Sequence, residues 1–556
     1  MRRKPCYGAH FSPDGRYLAL WTTEGAVHSR WRERLLRSRQ LRSREPLPAC
    51  MLTRHHGAGV HVYDAASEEL VVTLGGGEAV AQAVSFSPLG RYIQVLHKAQ
   101  APNERNLKLY ALPSGEVAFA VHEKTYIRDK WPVLQWSEDE SVLARAVTNE
   151  VQLYSAPGDF SSGSASRRLR VTGVTTATLS PGATLHVAAF VPEGKGQPAS
   201  IRIYALPERN TAAVAQGGDE DSAGTTTVSE QPPLARRSFF RATFCRFRWN
   251  CDGTAVLALA TADVDATNQS YYGESSLHFL RADGEAEGSV PLPKEGPVHD
   301  VSWSPRGTEF MAVAGFMPAK AVLFSDKLKP LYEVPAGPYN LAKWNPFGRF
   351  VALAGFGNLP GDVAFLDRKA DAKCKPMAEV RLANSVSLEW SPCGRYVLTA
   401  TTAPRLQVDN GFRVCKYTGE KLFDWAAAPG QLFQCEWQPA PGGSFPDRPQ
   451  TPGAAAAAKS APSVVAATKA APYRPPGAPR QAAPTAGAPQ FSLAREAQPF
   501  LKPGAAEKLA ASRPQGPPGA EFVDAPQSAS AKKRAAAKAR EAKAAAEQMG
   551  KMNVSK

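Results

Sequence analysis

The chain has 556 residues, of which 43% are hydrophobic, enough for a sizeable core. Its 47 prolines and 44 glycines are too many for a mainly helical protein and favour short strands separated by turns. The net charge of +15 is concentrated in segments 28–56 (net +6) and 451–556 (net +10), so the rest of the chain is almost neutral. If the chain contacts nucleic acid, the contacts are therefore expected in those two segments.

Neither secretion nor membrane insertion is expected. The start Met1-Arg2-Arg3-Lys4 is basic, but no apolar stretch follows it, and no run approaches about 18 apolar residues. The eight cysteines are scattered without a Cys-x-x-Cys pair, which is typical of reduced thiols in the cytosol. The sequence thus predicts a cytoplasmic protein without a zinc site.

One turn pattern recurs along the chain and predicts a series of hairpins. It consists of an aromatic residue, a small polar residue, Pro, a variable residue and Gly, followed by an apolar run, as in Phe11-Ser12-Pro13-Asp14-Gly15. Proline fixes φ at the first corner and glycine supplies a positive φ later, so the flanking strands run antiparallel. Clear or weaker copies start at Phe11, Phe86, Trp136, Leu179, Trp249, Trp303, Trp344, Trp390 and Trp437.

These nine starts predict an all-β fold, a WD-like β-propeller of about nine blades over residues 1–447. Most intervals are near the roughly 40 to 50 residues of known blade repeats. A further strand follows several hairpins, as in Val60–Tyr63 and Val363–Leu366. β-Sandwiches are the alternative, but they lack a turn that recurs at blade spacing. The last unit, at Trp437, has no obvious outer strands, which leaves the closure of the ring open.

Two intervals are longer than one blade. Residues Thr211–Gln231 are polar and rich in Gly, Thr and acidic residues, which predicts a solvated loop. The Arg-rich insertion at about 28–56 separates two strands of the first blade. Its stretch Arg30–Arg44 is compatible with an amphipathic helix that contacts RNA. An insertion private to this chain, such as a translated intron, is the favoured interpretation.

After residue 447 the composition changes to Ala, Pro, Gly and Lys, which predicts a disordered tail over 448–556. Within the tail, residues 531–549 combine strong helix formers with a cap at Ser530 and predict a short basic helix. A solvated charge run or a nuclear-import signal is the alternative. If the helix binds RNA, its salt-sensitive phosphate contacts come from Lys532, Lys533, Arg534, Lys538, Arg540 and Lys543.

The sequence contains no recognisable motif for enzymatic chemistry. It lacks the Gly-x-x-x-x-Gly-Lys-Ser/Thr loop that holds nucleotide phosphates and the Gly-x-Ser-x-Gly elbow of hydrolases. The segment Gly355–Gly361 imitates a phosphate loop, but it joins two predicted strands and we interpret it as a turn. His55 and His56 have no partner ligands. We expect no catalytic residue, no metal and no cofactor.

Several segments resemble the eukaryotic translation initiation factor 2A family, in the same order and spacing between about 57 and 476. They are more specific than the turn pattern, and the tail residues Tyr473 and Arg474 belong to the last of them. The segments are Asp263–Asp265, Ser270–Glu274, Gly315–Lys320, Leu353–Leu359, Ala403–Leu406 and Tyr473–Pro476.

The resemblance implies a nine-bladed propeller that binds the 40S small ribosomal subunit and a tail that contacts initiator methionyl-tRNA and mRNA, with other initiation factors as further partners. It also implies codon-dependent, GTP-independent tRNA delivery, in agreement with the missing phosphate loop. Lys320 and Arg405 become loop candidates, and Tyr473 and Arg474 become RNA-binding candidates. The alternative is a propeller scaffold in a multiprotein translation or RNA-processing complex, without direct tRNA binding.

Overall fold

The computed structural model describes residues 7–22, 48–50, 59–75, 81–194, 196–206, 228–229, 231–262, 273–368, 374–403, 405–427, 432 and 434–447. Within these ranges the chain forms a ring of eight β-sheets, the blades of a propeller. The first strands of successive blades lie against one another, so they line a central channel.

The first four blades are built from strands in antiparallel order, with one parallel addition in blade 3. Blade 1 contains β1 (Tyr7–Phe11), β2 (Tyr17–Thr22), β4 (Gly59–Asp64) and β5 (Leu70–Leu74), and β3 (Pro48–Cys50) lies outside it. Blade 2 contains β6 (Ala81–Phe86), β7 (Tyr92–His97), β8 (Leu107–Ala111) and β9 (Val117–Val121). Blade 3 contains β10 (Gln135–Trp136), β11 (Val142–Val147), β12 (Glu150–Ser155), β13 (Arg167–Arg170) and β17 (Val228–Ser229). Blade 4 contains β14 (Thr176–Leu179), β15 (His186–Val191), β16 (Ala199–Ala205) and β18 (Ala235–Phe239).

The last four blades each contain four consecutive antiparallel strands. Blade 5 contains β19 (Phe244–Trp249), β20 (Ala255–Ala262), β21 (Glu274–Arg281) and β22 (Glu287–Ser289). Blade 6 contains β23 (Val298–Trp303), β24 (Glu309–Ala314), β25 (Ala319–Ser325) and β26 (Pro330–Gly337). Blade 7 contains β27 (Leu341–Trp344), β28 (Phe350–Ala354), β29 (Asp362–Arg368) and β30 (Cys374–Arg381). Blade 8 contains β31 (Ser387–Trp390), β32 (Tyr396–Thr401), β33 (Gly411–Lys416) and β34 (Lys421–Ala426).

Helices contribute little to the described part of the chain. They are α1 (Gly158–Ser162) and a 3-10 turn at Arg128–Lys130. Among the described residues, neither is long or apolar enough to cross a membrane.

The apolar runs after each turn form the second strands, which are buried on both faces. In β28, Val351 and Leu353 pack into a core shared with blade 6. Phe350 and Ala352 of the same strand pack into a core shared with blade 8. Successive side chains of a strand point to opposite faces, so each second strand joins two blade interfaces.

The nine predicted starts are all real, but the prediction of nine blades is wrong. Each start is the last residue of a strand, and eight of these strands begin a blade. The ninth start supplies only β35 (Cys435–Trp437), which pairs antiparallel with β3 of the Arg-rich insertion. The turn pattern covers only the end of an inner strand and the turn that follows it, so it cannot show whether outer strands follow. The predicted loop Thr211–Gln231 is also corrected in part, because β17 pairs parallel with β13.

The ring closes through β35, which lies between blade 8 and blade 1. The side-chain amide of Gln434 accepts a hydrogen bond from the Ala9 N–H (3.0 Å) and donates one to the Ala9 carbonyl (2.6 Å). Gln438 donates to the carbonyl of Gly15 (2.9 Å). Gly15 has a φ of +75° and packs so closely on Pro439 that a Cβ would overlap its carbonyl oxygen. A two-stranded sheet, β3 and β35, therefore stands in the place of a full ninth blade.

The tryptophans of the turn pattern link the first strands of neighbouring blades. In four of the six, the indole N–H donates to a backbone carbonyl of the preceding first strand, whereas Trp249 donates to the Thr178 hydroxyl (3.1 Å). The four bonds are Trp303 to Arg248 (2.8 Å), Trp344 to Ser302 (3.1 Å), Trp390 to Lys343 (3.0 Å) and Trp437 to Glu389 (3.3 Å). Trp437 thus docks as the other three do.

The alternating strand directions give the ring two different sides. Connections from first to second and from third to fourth strands lie on one side, named here the turn side. Connections from second to third strands and from one blade to the next lie on the other, named here the loop side.

Candidate interaction rim on the loop side

The family-like segments in the described chain gather on the loop side. Gly315–Lys320 joins β24 to β25, the Leu353–Leu359 segment leaves β28, and residues 403 and 405–406 lie between β32 and β33. These connections belong to blades 6, 7 and 8, which are neighbours in the ring. We name loops 315–318, 355–361 and 402–410 the rim.

The blade 6 loop is held by a lysine that crosses it. The Lys294 ammonium donates to the Pro318 carbonyl (2.6 Å), and a Cβ on Gly315 would lie 2.6 Å from Cγ of Lys294. The loop backbone is fixed further by the Phe316 N–H, which donates to the Glu295 carbonyl (3.0 Å). This support leaves Phe316 (38%) and Met317 (41%) exposed at the tip.

The blade 7 loop, Gly355–Gly361, is a tight connection between β28 and β29, as predicted. The Asn340 side chain donates to the Phe356 carbonyl (2.9 Å) and accepts from its N–H (3.0 Å). The Gly361 carbonyl accepts from the Leu382 N–H (2.8 Å). The loop contacts the connections before and after blade 7, and no helix follows to present an N-terminus to phosphate.

The blade 8 loop is organised around Asn410. Its side-chain amide donates to the Leu406 carbonyl (2.8 Å) and accepts from the Leu432 N–H (3.1 Å). Asn384 also donates to the carboxylate of Asp409 (2.9 Å). Val408 is left 63% exposed, so this rigid loop presents an apolar side chain to solvent.

Of the two predicted loop candidates, Arg405 lies in the rim, and Lys320 lies on β25, two residues after the blade 6 loop of the rim. The Lys320 ammonium pairs with the Glu333 carboxylate (2.9 Å). The exposed Arg405 guanidinium lies against Gly357 of the blade 7 loop, where a Cβ would overlap it. Glycine at that position lets an arginine of blade 8 cover the backbone of blade 7.

The other predicted contact residues lie outside the described residues. These are the tail candidates Tyr473, Arg474, Lys532, Lys533, Arg534, Lys538, Arg540 and Lys543 and the insertion Arg30–Arg44.

A serine–histidine pair in blade 5 resembles a nucleophilic site but has the wrong chemistry. Ser276 Oγ lies 2.9 Å from Nε2 of His278. The Arg237 guanidinium donates to Nδ1 of the same ring (3.1 Å), so the proton of the neutral ring is on Nε2, facing the serine. Burial and the Arg237 charge lower the pKa of His278 to about 4. The ring therefore cannot take a proton from Ser276 as a base.

Sequence comparisons point to one family. The profile described as "Eukaryotic translation initiation factor eIF2A" matches residues 237–435. The chain is 36% identical over 411 residues to eukaryotic translation initiation factor 2A of Schizosaccharomyces pombe, covering 71% of this chain and 66% of that protein. It is 35% identical over 364 residues to the Drosophila melanogaster protein of the same name, covering 64% and 53%. The chain thus spans between about half and two thirds of these relatives' lengths.

Two further similarities connect the ring to initiation factors. One component of eukaryotic translation initiation factor 3 from Xenopus laevis is 25% identical over 373 residues, covering 65% of this chain and 48% of that protein. A solved structure, described as the crystal structure of the eukaryotic initiation factor, superposes with a TM-score of 0.60 at 29% identity. The superposition covers 79% of this chain and 92% of that one.

Proposed function

The chain belongs to the eukaryotic translation initiation factor 2A family, and from that premise we propose that its propeller docks on the small ribosomal subunit through the rim. The observation that carries the proposal is the gathering of family-like segments on one side of the ring. The loops that carry these segments expose Phe316, Met317 and Val408. Exposed apolar side chains beside cations are the anchors of macromolecular interfaces.

The rim is tested by co-sedimentation of the full chain with purified 40S subunits. A variant with Phe316→Ser, Met317→Ser and Arg405→Glu is expected to bind about tenfold more weakly, because it loses two apolar anchors and a cation. The matched control carries Leu89→Ser, Leu234→Ser and Lys327→Glu, all exposed on the turn side, and is expected to bind like the wild type. Wild-type sedimentation of the rim variant overturns the docking assignment.

The second part of the proposal gives the tail the contact with initiator methionyl-tRNA and mRNA. Of the chain's net charge of +15, +10 comes from 451–556, and polyanion affinity scales with the cations that meet phosphates. In this proposal the factor works in the cytoplasm, delivers the tRNA without GTP and performs no catalysis. The missing phosphate loop supports GTP independence.

The tail is tested in the full chain by replacing the six cations of the predicted helix with glutamine. Binding of initiator tRNA in a salt series is expected to weaken and to lose part of its salt dependence, because fewer counterions are released. Thermal unfolding of the ring serves as the control and is expected not to change. If tRNA affinity is unchanged at every salt concentration, the tail does not carry this contact.

A scaffold in a multiprotein translation complex is the second candidate. It is favoured by the similarity to the initiation factor 3 component and by the near-neutral charge outside the two basic segments. Filter binding of initiator methionyl-tRNA separates the two functions. A chain that co-sediments with 40S subunits but retains no tRNA is a scaffold.

A further inference from the structure

A strap of the chain, residues 122–134, connects β9 of blade 2 to β10 of blade 3 and is anchored at both ends. At the start, the Asn106 side chain accepts from the Glu123 N–H (2.8 Å) and donates to its carbonyl (3.0 Å). At the end, the Gln94 side chain donates to the Leu134 carbonyl (2.9 Å) and accepts from its N–H (3.2 Å). Two buried amide side chains thus fix where the strap leaves and rejoins the ring.

The middle of the strap reaches across the ring. Asp129 forms an ion pair with Arg246, which lies on β19, the first strand of blade 5. The strap leads into blade 3, so this ion pair joins it to a blade two positions further round. Since the first strands line the channel, the strap lies over the channel mouth on the loop side.

Between its anchors the strap carries two exposed cations, a half-buried third one at Lys130 and an exposed aromatic ring. Lys124, Arg128 and Lys130 have no ion-pair partner among the described residues. Tyr126 is 40% and Ile127 43% exposed. The Tyr126 ring packs edge-on against Trp131 at 6.2 Å between centroids, so its orientation is supported by the strap itself.

We propose that the strap binds single-stranded RNA, with Lys124, Arg128 and Lys130 on the phosphates and Tyr126 stacked on a base. Cations that follow the backbone and an exposed aromatic ring between them are the two components of sequence-tolerant single-strand binding. An acidic protein segment uses the same cations but offers no base to the Tyr126 ring, which favours RNA. The site goes beyond ribosome docking and does not depend on it.

The test uses the full chain and a fluorescent oligouridylate of twelve nucleotides, with affinity followed by anisotropy in a salt series. The triple variant Lys124→Ala, Arg128→Ala and Lys130→Ala is expected to bind about tenfold more weakly near 0.1 M salt, and its salt slope is expected to fall by about 2. The control Lys327→Ala, Lys329→Ala and Lys375→Ala removes the same charge from exposed positions on the turn side and is expected to change neither. The tail contributes equally to all three proteins.

A second variant separates stacking from charge. Tyr126→Ala is expected to weaken binding roughly fivefold with an unchanged salt slope, and Tyr126→Phe is expected to restore it, because a phenyl ring still stacks. Equal affinities of the wild type, the triple variant and Tyr126→Ala overturn the proposal, and so do equal losses in the strap variant and the control. If the strap cations are needed for labelled polyglutamate but not for the oligouridylate, the site is one for acidic protein segments.

Discussion

The two sides of the ring are built for different purposes. On the turn side, short corners stack on one another around the ring, with glycines pressed against the neighbouring corner. Gly253 packs against Pro181, and Gly348 has Arg306 and Ser304 within 3.1 Å of a Cβ position. On the loop side, glycines such as Gly355 and Gly361 also pack closely on neighbouring connections, but amide side chains brace the longer loops and leave the tips of those loops open.

Exposed apolar residues follow the same division. Of the ten large hydrophobic side chains exposed in the described chain, six lie in loop-side connections: Tyr126, Ile127, Phe240, Phe316, Met317 and Val408. The comparison indicates that the turn side maintains the ring and the loop side meets partners. Substitutions at the packed corners of the turn side should therefore affect stability, and substitutions at the open tips of the loop side should affect binding.

The largest expected effect is that of Gly253→Ala on the turn side. Gly253 has a φ of +67°, and a Cβ there would overlap the Pro181 carbonyl of blade 4. Backbone strain and the clash together should lower the free energy of unfolding by about 3 kcal/mol. Denaturant unfolding measures this loss of free energy. The control Gly194→Ala, on the loop side with nothing within 4 Å of the Cβ position, should be nearly neutral. If both substitutions lower the free energy of unfolding equally, the packed corner at Gly253 is no more important for stability than the open loop at Gly194.

The next effect is a pH dependence at the closure between blade 8 and β35. Burial, together with the neighbouring Glu436 carboxylate, raises the pKa of Glu389 to about 7, against 4.5 for an ordinary glutamate. The Trp437 N–H, Lys343 and His10 act in the opposite direction. The folded state holds the proton of Glu389 more tightly than the unfolded state does. The contribution of this proton to stability is therefore fully present below about pH 4.5 and is lost as the pH rises through about 7.

Thermal unfolding of the wild type and of Glu389→Gln between pH 4.5 and 8 tests this sign. The contribution should be on the order of 3 kcal/mol, and the variant should lack it. Glu436→Gln should move the midpoint to lower pH because the like charge is gone. A wild type and a Glu389→Gln variant with the same pH profile would contradict the account of the closure.

Gln434→Ala should have a smaller effect on the same closure. It removes both hydrogen bonds to Ala9 and should cost about 1 kcal/mol. Hydrogen exchange should accelerate in β1 and β35 but not in β23 and β27, where Trp344 links two complete blades. Uniform acceleration over the whole ring would show that the closure is no weaker than the other joints.

The smallest expected effect on stability is that of Arg405→Ala on the loop side. The side chain is exposed and makes no ion pair within the described ranges, so unfolding should change by less than about 0.5 kcal/mol. Equilibrium denaturation provides the measurement. A loss comparable to that of Gly253→Ala would mean that the rim is structural.

Prediction from the sequence worked best where the backbone geometry of a position favours one residue type. Pro and Gly at fixed offsets identified five of the nine strands, because the corner they build suits those residues, and the aromatic residue before the corner helped to identify weaker copies such as those at Trp136 and Trp249. The sequence showed that the unit at Trp437 lacks outer strands, but it could not show that this unit closes the ring. Closure depends on hydrogen bonds between Ala9 and Gln434, which are distant in sequence. The strap was also missed. Averaging charge over the whole ring concealed three cations around Tyr126, a local cluster that a shorter window would have found.

The most direct test of the assignment of the loop side is an electron cryomicroscopy map of the full chain on the 40S subunit. Our account predicts that the ring faces the subunit with its loop side, with the rim of blades 6 to 8 in contact and the strap accessible to RNA. A ring that rests on the subunit with its turn side, or that stands away from it without contact, would contradict the account.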